Sequence, residues 1–169
     1  MGMKYRLAKL IKEWDCIKYG SFVLASGRRS NYKIDLDALF ENPEGKRLAG
    51  EMGAMELKKL GDYEIAGVYR GGSLFAEAVS ERLNKDYVSV DYKRNVIEGD
   101  IKPKEYVIFE DVTTTGGSVL KVATILRDYV DVRNAITVVD RQEGAFENLR
   151  ENGIRLHSLL TKQDLGIIF

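Results

Sequence analysis

Two adjacent carboxylates, Glu110 and Asp111, stand at the end of the apolar run Tyr106-Val107-Ile108-Phe109. Val112, three threonines (Thr113, Thr114, Thr115), two glycines (Gly116, Gly117) and Ser118 follow them. Glycine lets the backbone curl with its N–H groups pointing inward, and the start of a helix adds partial positive charge. With the threonine and serine hydroxyls as further donors, such a loop is a cradle for phosphate. The neighbouring carboxylates would repel phosphate; they suit sugar hydroxyls, a metal ion or a developing cation. A phosphorylated sugar presents both kinds of group. The bland alternative is an ordinary capped helix start, but an acid pair fixed on an apolar strand and three consecutive threonines weigh against it. Two common nucleotide loops do not fit. No lysine precedes Ser118, as G-x-x-x-x-G-K-[ST] requires, and no G-x-G-x-x-G follows a predicted strand.

The elements that must hold these residues alternate. Met3, Leu7, Leu10, Ile11, Trp14 and Ile17 recur at helical spacing, so a helix is expected to run until Tyr19-Gly20. Short strands are expected over 22–24 and 32–36, around a small, basic turn at 26–30. Asn42-Pro43-Glu44 starts a helix that should reach residue 60, with Gly61-Asp62 as its turn. Next come a strand over 64–69, a tight turn at Arg70-Gly71-Gly72-Ser73, a helix over 74–83 and a strand over 87–91. A polar loop spans 92–104. The apolar strand of 106–109 leads through the glycine loop to a helix over 119–129. A strand over 135–139 ends at Asp140-Arg141, and a short helix (147–152) and a last strand (154–160) close the pattern. Strands of about five residues alternating with helices imply an α/β domain with a parallel sheet covered on both faces. Ligands of such sheets bind at the carboxyl ends of the strands. Three of those ends carry candidate residues: Arg70, the Glu110–Ser118 segment and Arg141.

Composition narrows the class. Of the 169 residues, 44% are hydrophobic and 31% charged, close to the globular average. Lys and Arg total 26, as do Asp and Glu, so no global basic field draws the chain to nucleic acid. The single cysteine, Cys16, cannot make an internal disulfide, and it reads as a small core residue rather than a nucleophile. No apolar run approaches a membrane span, and residues 1–12 are too charged for a signal peptide, so a cytoplasmic protein without membrane partners is expected. His157, on a predicted strand, reads as structural. Arg28 and Arg29 are either a basic surface turn or part of a phosphate field.

The Glu110–Ser118 segment closely resembles the phosphoribosyl pyrophosphate (PRPP) motif of the type I phosphoribosyltransferases. That resemblance implies ribose contacts for Glu110 and Asp111, and a 5-phosphate loop formed by Val112, Thr113, Thr114, Thr115, Gly116, Gly117 and Ser118. Three further stretches are similar to the orotate phosphoribosyltransferases of that family. Tyr19 to Tyr32 resembles their N-terminal hood pattern F-x-L-x-S-G-x-x-S-x-Y, Val68-Tyr69-Arg70-Gly71-Gly72 their pyrophosphate turn, and Asp140-Arg141-Gln142-Glu143-Gly144-Ala145 the segment that brings an arginine to the orotate carboxylate. Arginine's planar fork suits a carboxylate through two hydrogen bonds; taken alone, Arg141 reads first as a surface ion pair with Glu143.

The resemblance implies a Rossmann-like parallel sheet flanked by helices with a small N-terminal hood. One domain would cover 1–169, with helix and hood in 1–40 and the α/β core in 41–169. It implies transfer of phosphoribose from PRPP to orotate in pyrimidine biosynthesis, by a homodimer. PRPP would be bound by Arg70, Lys93, Glu110, Asp111 and the loop, and orotate by Thr114 and Arg141. Lys93, Arg94 and Asp111 would take the catalytic roles. Mg²⁺ would be held mainly by PRPP with no direct protein ligand, Glu110 and Asp111 being the side chains that could aid it.

Two positions depart from the pattern. Ala25 stands where bacterial members place a lysine before Ser26-Gly27. The family's mobile loop, R-K-x-x-K-x-H-G before an I-E-G segment, is reduced here to Tyr92-Lys93-Arg94-Asn95 running into Val96-Ile97-Glu98-Gly99. Two other functions therefore stand beside the first: a non-catalytic PRPP- or nucleotide-binding regulator that lost the lid, and a transferase for another base.

Overall fold

The computed structural model describes residues 2–24 and 26–168; Ala25, the position of the missing lysine, lies outside them. Six strands form the main sheet in the order β5-β4-β3-β6-β7-β8, where β3 is Glu64–Val68, β4 Tyr87–Asp91, β5 Val96–Glu98, β6 Tyr106–Thr113, β7 Val132–Asp140 and β8 Arg155–Thr161. All neighbours run parallel except β5, which pairs antiparallel with β4 at the edge. The expected α/β parallel sheet flanked by helices is the observed architecture. A two-stranded antiparallel hairpin, β1 (Ile17–Val23) and β2 (Arg29–Ile34), stands apart from it.

Burial explains the layers. On β6, Val107 and Phe109 pack into one apolar cluster while Tyr106 and Ile108 pack into the other. Successive side chains on a strand point to opposite faces, so a run without polar positions needs cover on both. The first face is covered by α1 (Met3–Glu13), α3 (Pro43–Leu60), α4 (Gly71–Leu83) and the hairpin residues Tyr32 and Ile34. The second is covered by α5 (Gly117–Leu126) and α6 (Ala145–Glu151). Helix α3 starts and stops where its sequence says: the Asn42 side chain accepts from the Glu44 N–H at 3.1 Å, Pro43 follows at the first position, and Gly61 caps the end.

Several boundaries differ from the sequence expectation. Helix α1 ends at Glu13, and Ile17 through Gly20 are strand rather than helix terminus. The cause is a left-handed Asp15 (φ 56°): its N–H reaches the Lys12 carbonyl at 3.4 Å and the Cys16 N–H the Ile11 carbonyl at 3.1 Å, a helix stop that needs no glycine here. The hairpin strands are longer than expected and shifted toward the N-terminus. A five-residue helix, α2 (Asp37–Glu41), was not foreseen; Asp35 opens it by accepting from the Asp37 N–H at 3.0 Å. The turn at 70–73 is already the first turn of α4, and α5 stops at Leu126 rather than 129. Strand β6 continues through the acid pair to Thr113, because β7 pairs with it as far as Asp140. The loop of 92–104 contains β5. No helix among the described residues is long and apolar enough to cross a membrane.

Candidate active site

A cavity of about 400 Å³ opens at the carboxyl end of β6, lined by Glu110, Val112 and the whole run from Thr113 to Ser118. Because β6 is a central strand, its tip delivers the acid pair at a fixed position. Glu110 is buried while Asp111 is half-buried. The Asp111 N–H donates to Glu110 Oε1 at 3.0 Å, and the Val112 N–H to Asp111 Oδ1 at 2.8 Å. Burial, and then the Asp111 charge beside it, push the Glu110 carboxyl well above the ordinary range. Thr113 Oγ1 is buried with no hydrogen-bond partner among the described residues, a cost a bound ligand would relieve.

The loop then turns through a left-handed Gly116 (φ 83°) into α5 at Gly117. A Cβ added at Gly117 would meet only Thr115 Oγ1, at 3.6 Å, so the helix N-terminus faces open space. The back of the loop is tied down, since Asn148 Nδ2 on α6 donates to the Thr115 carbonyl at 2.8 Å. Open N–H groups in front and a fixed back are what an anion cradle requires.

Asp111 faces the neighbouring turn. A Cβ at Gly71 would overlap its carboxylate, and one at Gly72 would overlap the Phe109 carbonyl oxygen. The two glycines thus let the start of α4 sit against the tip of β6, beside the cis Tyr69–Arg70 peptide. Arg70 is exposed, outside the cavity lining, and its Nη1 donates to Asp37 Oδ2 at 2.8 Å. Helix α2 supplies that partner.

The shortened segment is a tight β4–β5 hairpin. Asp91 Oδ1 accepts from the N–H groups of Lys93 (3.1 Å) and Arg94 (3.3 Å), and Asn95 takes a left-handed conformation to close it. Tyr92 reaches the cavity and pins the hairpin to the cradle, its hydroxyl 3.2 Å from Ser118 Oγ. Lys121 also lines the cavity, with its ammonium 5.1 Å from the centre of the Tyr92 ring. Lys93 and Arg94 are exposed and do not line the cavity; Arg94 Nη1 lies 4.0 Å from Asp91 Oδ2.

Arg141 closes the opposite side. Strand pairing sets Thr113 against Asp140, and the Arg141 N–H donates to the Thr113 carbonyl at 2.9 Å, which places this arginine beside the loop. It does face Glu143, Nε to Oε2 at 2.9 Å, yet it is no surface pair: only 2% of the side chain is exposed. The hood meets it. Arg141 Nε donates to the Tyr32 hydroxyl at 3.0 Å and Nη2 to Ser30 Oγ at 2.8 Å, and the guanidinium carbon lies 3.8 Å from the Tyr32 ring centre. Arg28 pairs with Glu143 at 3.7 Å.

The structure therefore brings Glu110, Val112, the Thr113–Ser118 run and Arg141 around one cavity, sets Asp111 at its edge, and leaves Arg70, Lys93 and Arg94 outside its lining. Sequence reasoning missed Tyr92 and Lys121 as cavity residues. The second had a signal, since helical spacing puts position 121 above 117 and 118. Cys16 is buried between α1 and β1 and its thiol is pushed up to about 11 by burial, as an inert core residue would be. His157 Nε2 pairs with Asn134 Oδ1 at 2.9 Å, far from this chemistry in the sheet register.

No three His, Cys, Asp or Glu side chains among the described residues are grouped to hold a metal ion. Glu110 and Asp111 offer two carboxylates, a set that suits Mg²⁺ taken up with phosphate oxygens and water rather than in a protein cage.

Comparison with known proteins gives concordant results. The chain is 41% identical over 173 residues to the orotate phosphoribosyltransferase of Pyrococcus abyssi, covering 96% of this chain and 95% of the relative. It is 42% identical over 173 residues to that of Methanocaldococcus jannaschii, covering 98% of each. The crystal structure of orotate phosphoribosyltransferase from Aeropyrum pernix matches the fold with a TM-score of 0.84 at 34% identity, over 94% of this chain and 96% of that one. No family model matches the chain.

Proposed function

The chain belongs to the orotate phosphoribosyltransferase family, and we propose from this that it transfers the phosphoribosyl group of PRPP to N1 of orotate, giving orotidine 5′-monophosphate and pyrophosphate in pyrimidine biosynthesis. The observation that carries the reading is one cavity walled by the glycine loop, Glu110 and a buried arginine, with Asp111 at its edge. In the reaction the bond from ribose C1 to pyrophosphate oxygen breaks, the bond from C1 to N1 forms, and the N1 proton leaves to pyrophosphate or water.

Each wall has a task. The N–H groups and hydroxyls of Thr113, Thr114, Thr115, Gly116, Gly117 and Ser118 hold the 5-phosphate. Glu110 and Asp111 take the ribose hydroxyls, and the Asp111 charge opposes the positive charge that develops on the sugar as the C1–O bond lengthens. Arg141, with Thr114 of the neighbouring loop, holds the orotate carboxylate so that N1 faces C1. Lys93 and Arg94 on the hairpin, and Arg70 on the α4 turn, neutralise pyrophosphate as it leaves. Bound Mg²⁺ would supply further charge stabilisation there, and Glu110 and Asp111 are the side chains that would help to hold it. No strong general base is required, because the N1 proton of orotate is relatively acidic.

The hairpin is too short to swing over its own cavity. The working unit in this reading is a symmetric dimer in which one subunit's Lys93 and Arg94 approach the other's site. The partners are small soluble molecules in the cytoplasm, with no role for nucleic acid or membrane.

Turnover tests the reading. Purified protein given PRPP, Mg²⁺ and orotate should form orotidine 5′-monophosphate, with adenine and uracil as poor substitutes. Tight PRPP binding without turnover of any base would favour the regulator, and preferential turnover of another base the third reading.

A further inference from the structure

Resting on the proposed recognition of orotate by Arg141, we propose that Tyr32 and Ser30 of the hood are positioning residues that fix one edge of the Arg141 guanidinium and so aim its other edge at the base carboxylate.

A guanidinium has five N–H donors on a long, flexible stem, and a carboxylate is recognised well only when two of them are held in plane. Here the stem is buried and the backbone N–H of Arg141 is bonded to the cradle strand. The inner edge is fully engaged: Nε donates to the Tyr32 hydroxyl at 3.0 Å, Nη2 donates to Ser30 Oγ at 2.8 Å, and the Tyr32 ring stacks at 3.8 Å from the guanidinium carbon. Glu143 supplies the counter-charge at 2.9 Å, returned toward Arg141 by the left-handed Gln142 (φ 59°) and held from outside by Arg28 at 3.7 Å. Nη1 has no acceptor among the described residues, although Arg141 lines the cavity. A buried charge half satisfied by protein, with its remaining donors at a cavity wall, is poised for an anionic group from a ligand.

The selection of a carboxylated base is therefore made where the hood touches the core. Loss of the hood's acceptors frees the guanidinium to rotate, which penalises a ligand carboxylate and leaves a ligand without one indifferent.

Titration calorimetry with two nucleotides tests this. Orotidine and uridine 5′-monophosphates share the phosphate and ribose and differ only in the carboxylate. The parent should prefer the first. The double variant Tyr32→Phe/Ser30→Ala keeps the stacked ring and removes both acceptors; its affinity for orotidine 5′-monophosphate should fall about tenfold with that for uridine 5′-monophosphate unchanged. Ser30→Thr, which keeps the acceptor, should bind like the parent. If the double variant loses both ligands together, Ser30→Ala alone decides, with about a threefold loss confined to the carboxylated nucleotide. An unchanged preference in these variants, or equal loss of both nucleotides in Ser30→Ala, overturns the positioning role while Arg141 keeps its own. A parent that binds both nucleotides equally overturns the carboxylate role of Arg141 itself.

Discussion

The loop from Thr113 to Ser118 and the corner around Arg141 face the same cavity, yet the first is built of consecutive residues and largely of backbone. The second is built of side chains drawn together from 109 and 111 positions apart. A backbone cradle is set by strand, glycine and helix start, and it changes only if those change. A side-chain corner depends on the β1–β2 hairpin docking against the core, so substitutions far along the chain can loosen it. In the proposed reading the cradle takes the part of the substrate that such chemistries share, a phosphate, and the corner takes the part that differs, the base.

Breaking the cradle should give the largest effect. Gly117→Leu places a side chain in the open space before α5, where a Cβ would meet only Thr115 Oγ1, so the fold is kept and the anion is excluded. PRPP affinity should fall about 100-fold by calorimetry while the unfolding temperature stays near that of the parent. Unchanged affinity would remove the cradle from the account.

The hairpin is pinned to the cradle side by Tyr92 and Ser118, and this allows a sharper comparison. Lys93→Ala or Arg94→Ala should slow the single-turnover rate about tenfold or more with PRPP affinity nearly kept, the pattern of a group that acts only in the transition state. Full rates in both would make them solvated turn charges.

Glu110 gives the smallest expected effect, and it is one of stability. Burial raises its carboxyl, so the native state keeps a proton that the unfolded chain has already released above the ordinary carboxylate range. The native state is then favoured at low pH, and stability falls as pH rises through the ordinary range toward the raised value. Glu110→Gln removes this dependence. Its unfolding temperature should match the parent's near pH ~4 and exceed it by about 2 °C or more at neutral pH. A parent that gains on the variant as pH rises would show that Glu110 is ionised and paired in the free protein.

The same contrast explains what could be read from the sequence. The cradle and helix α3 were legible because their signals are local: Asn42-Pro43-Glu44 caps at once, and the glycines sit next to the residues they serve. The stop of α1 was not, since Asp15 rather than glycine takes the left-handed position and Ile17 continues the helical spacing into a strand. Strand β5 has three residues, too few to show an alternation, and only its pairing with β4 makes it a strand. Arg141 was legible as an arginine at a strand end. Its burial, its stacking on Tyr32 and the Asp37 partner of Arg70 follow from tertiary docking that no spacing encodes.

The division of labour between the two walls is tested most directly by initial rates of Arg141→Ala, with orotate and PRPP varied in turn. A charged hydrogen-bonded pair contributes about 1.5–3 kcal/mol, so the Michaelis constant for orotate should rise roughly 10-fold to 100-fold while that for PRPP stays within about twofold of the parent's. Equal rises for both substrates, or none for orotate, would contradict the account.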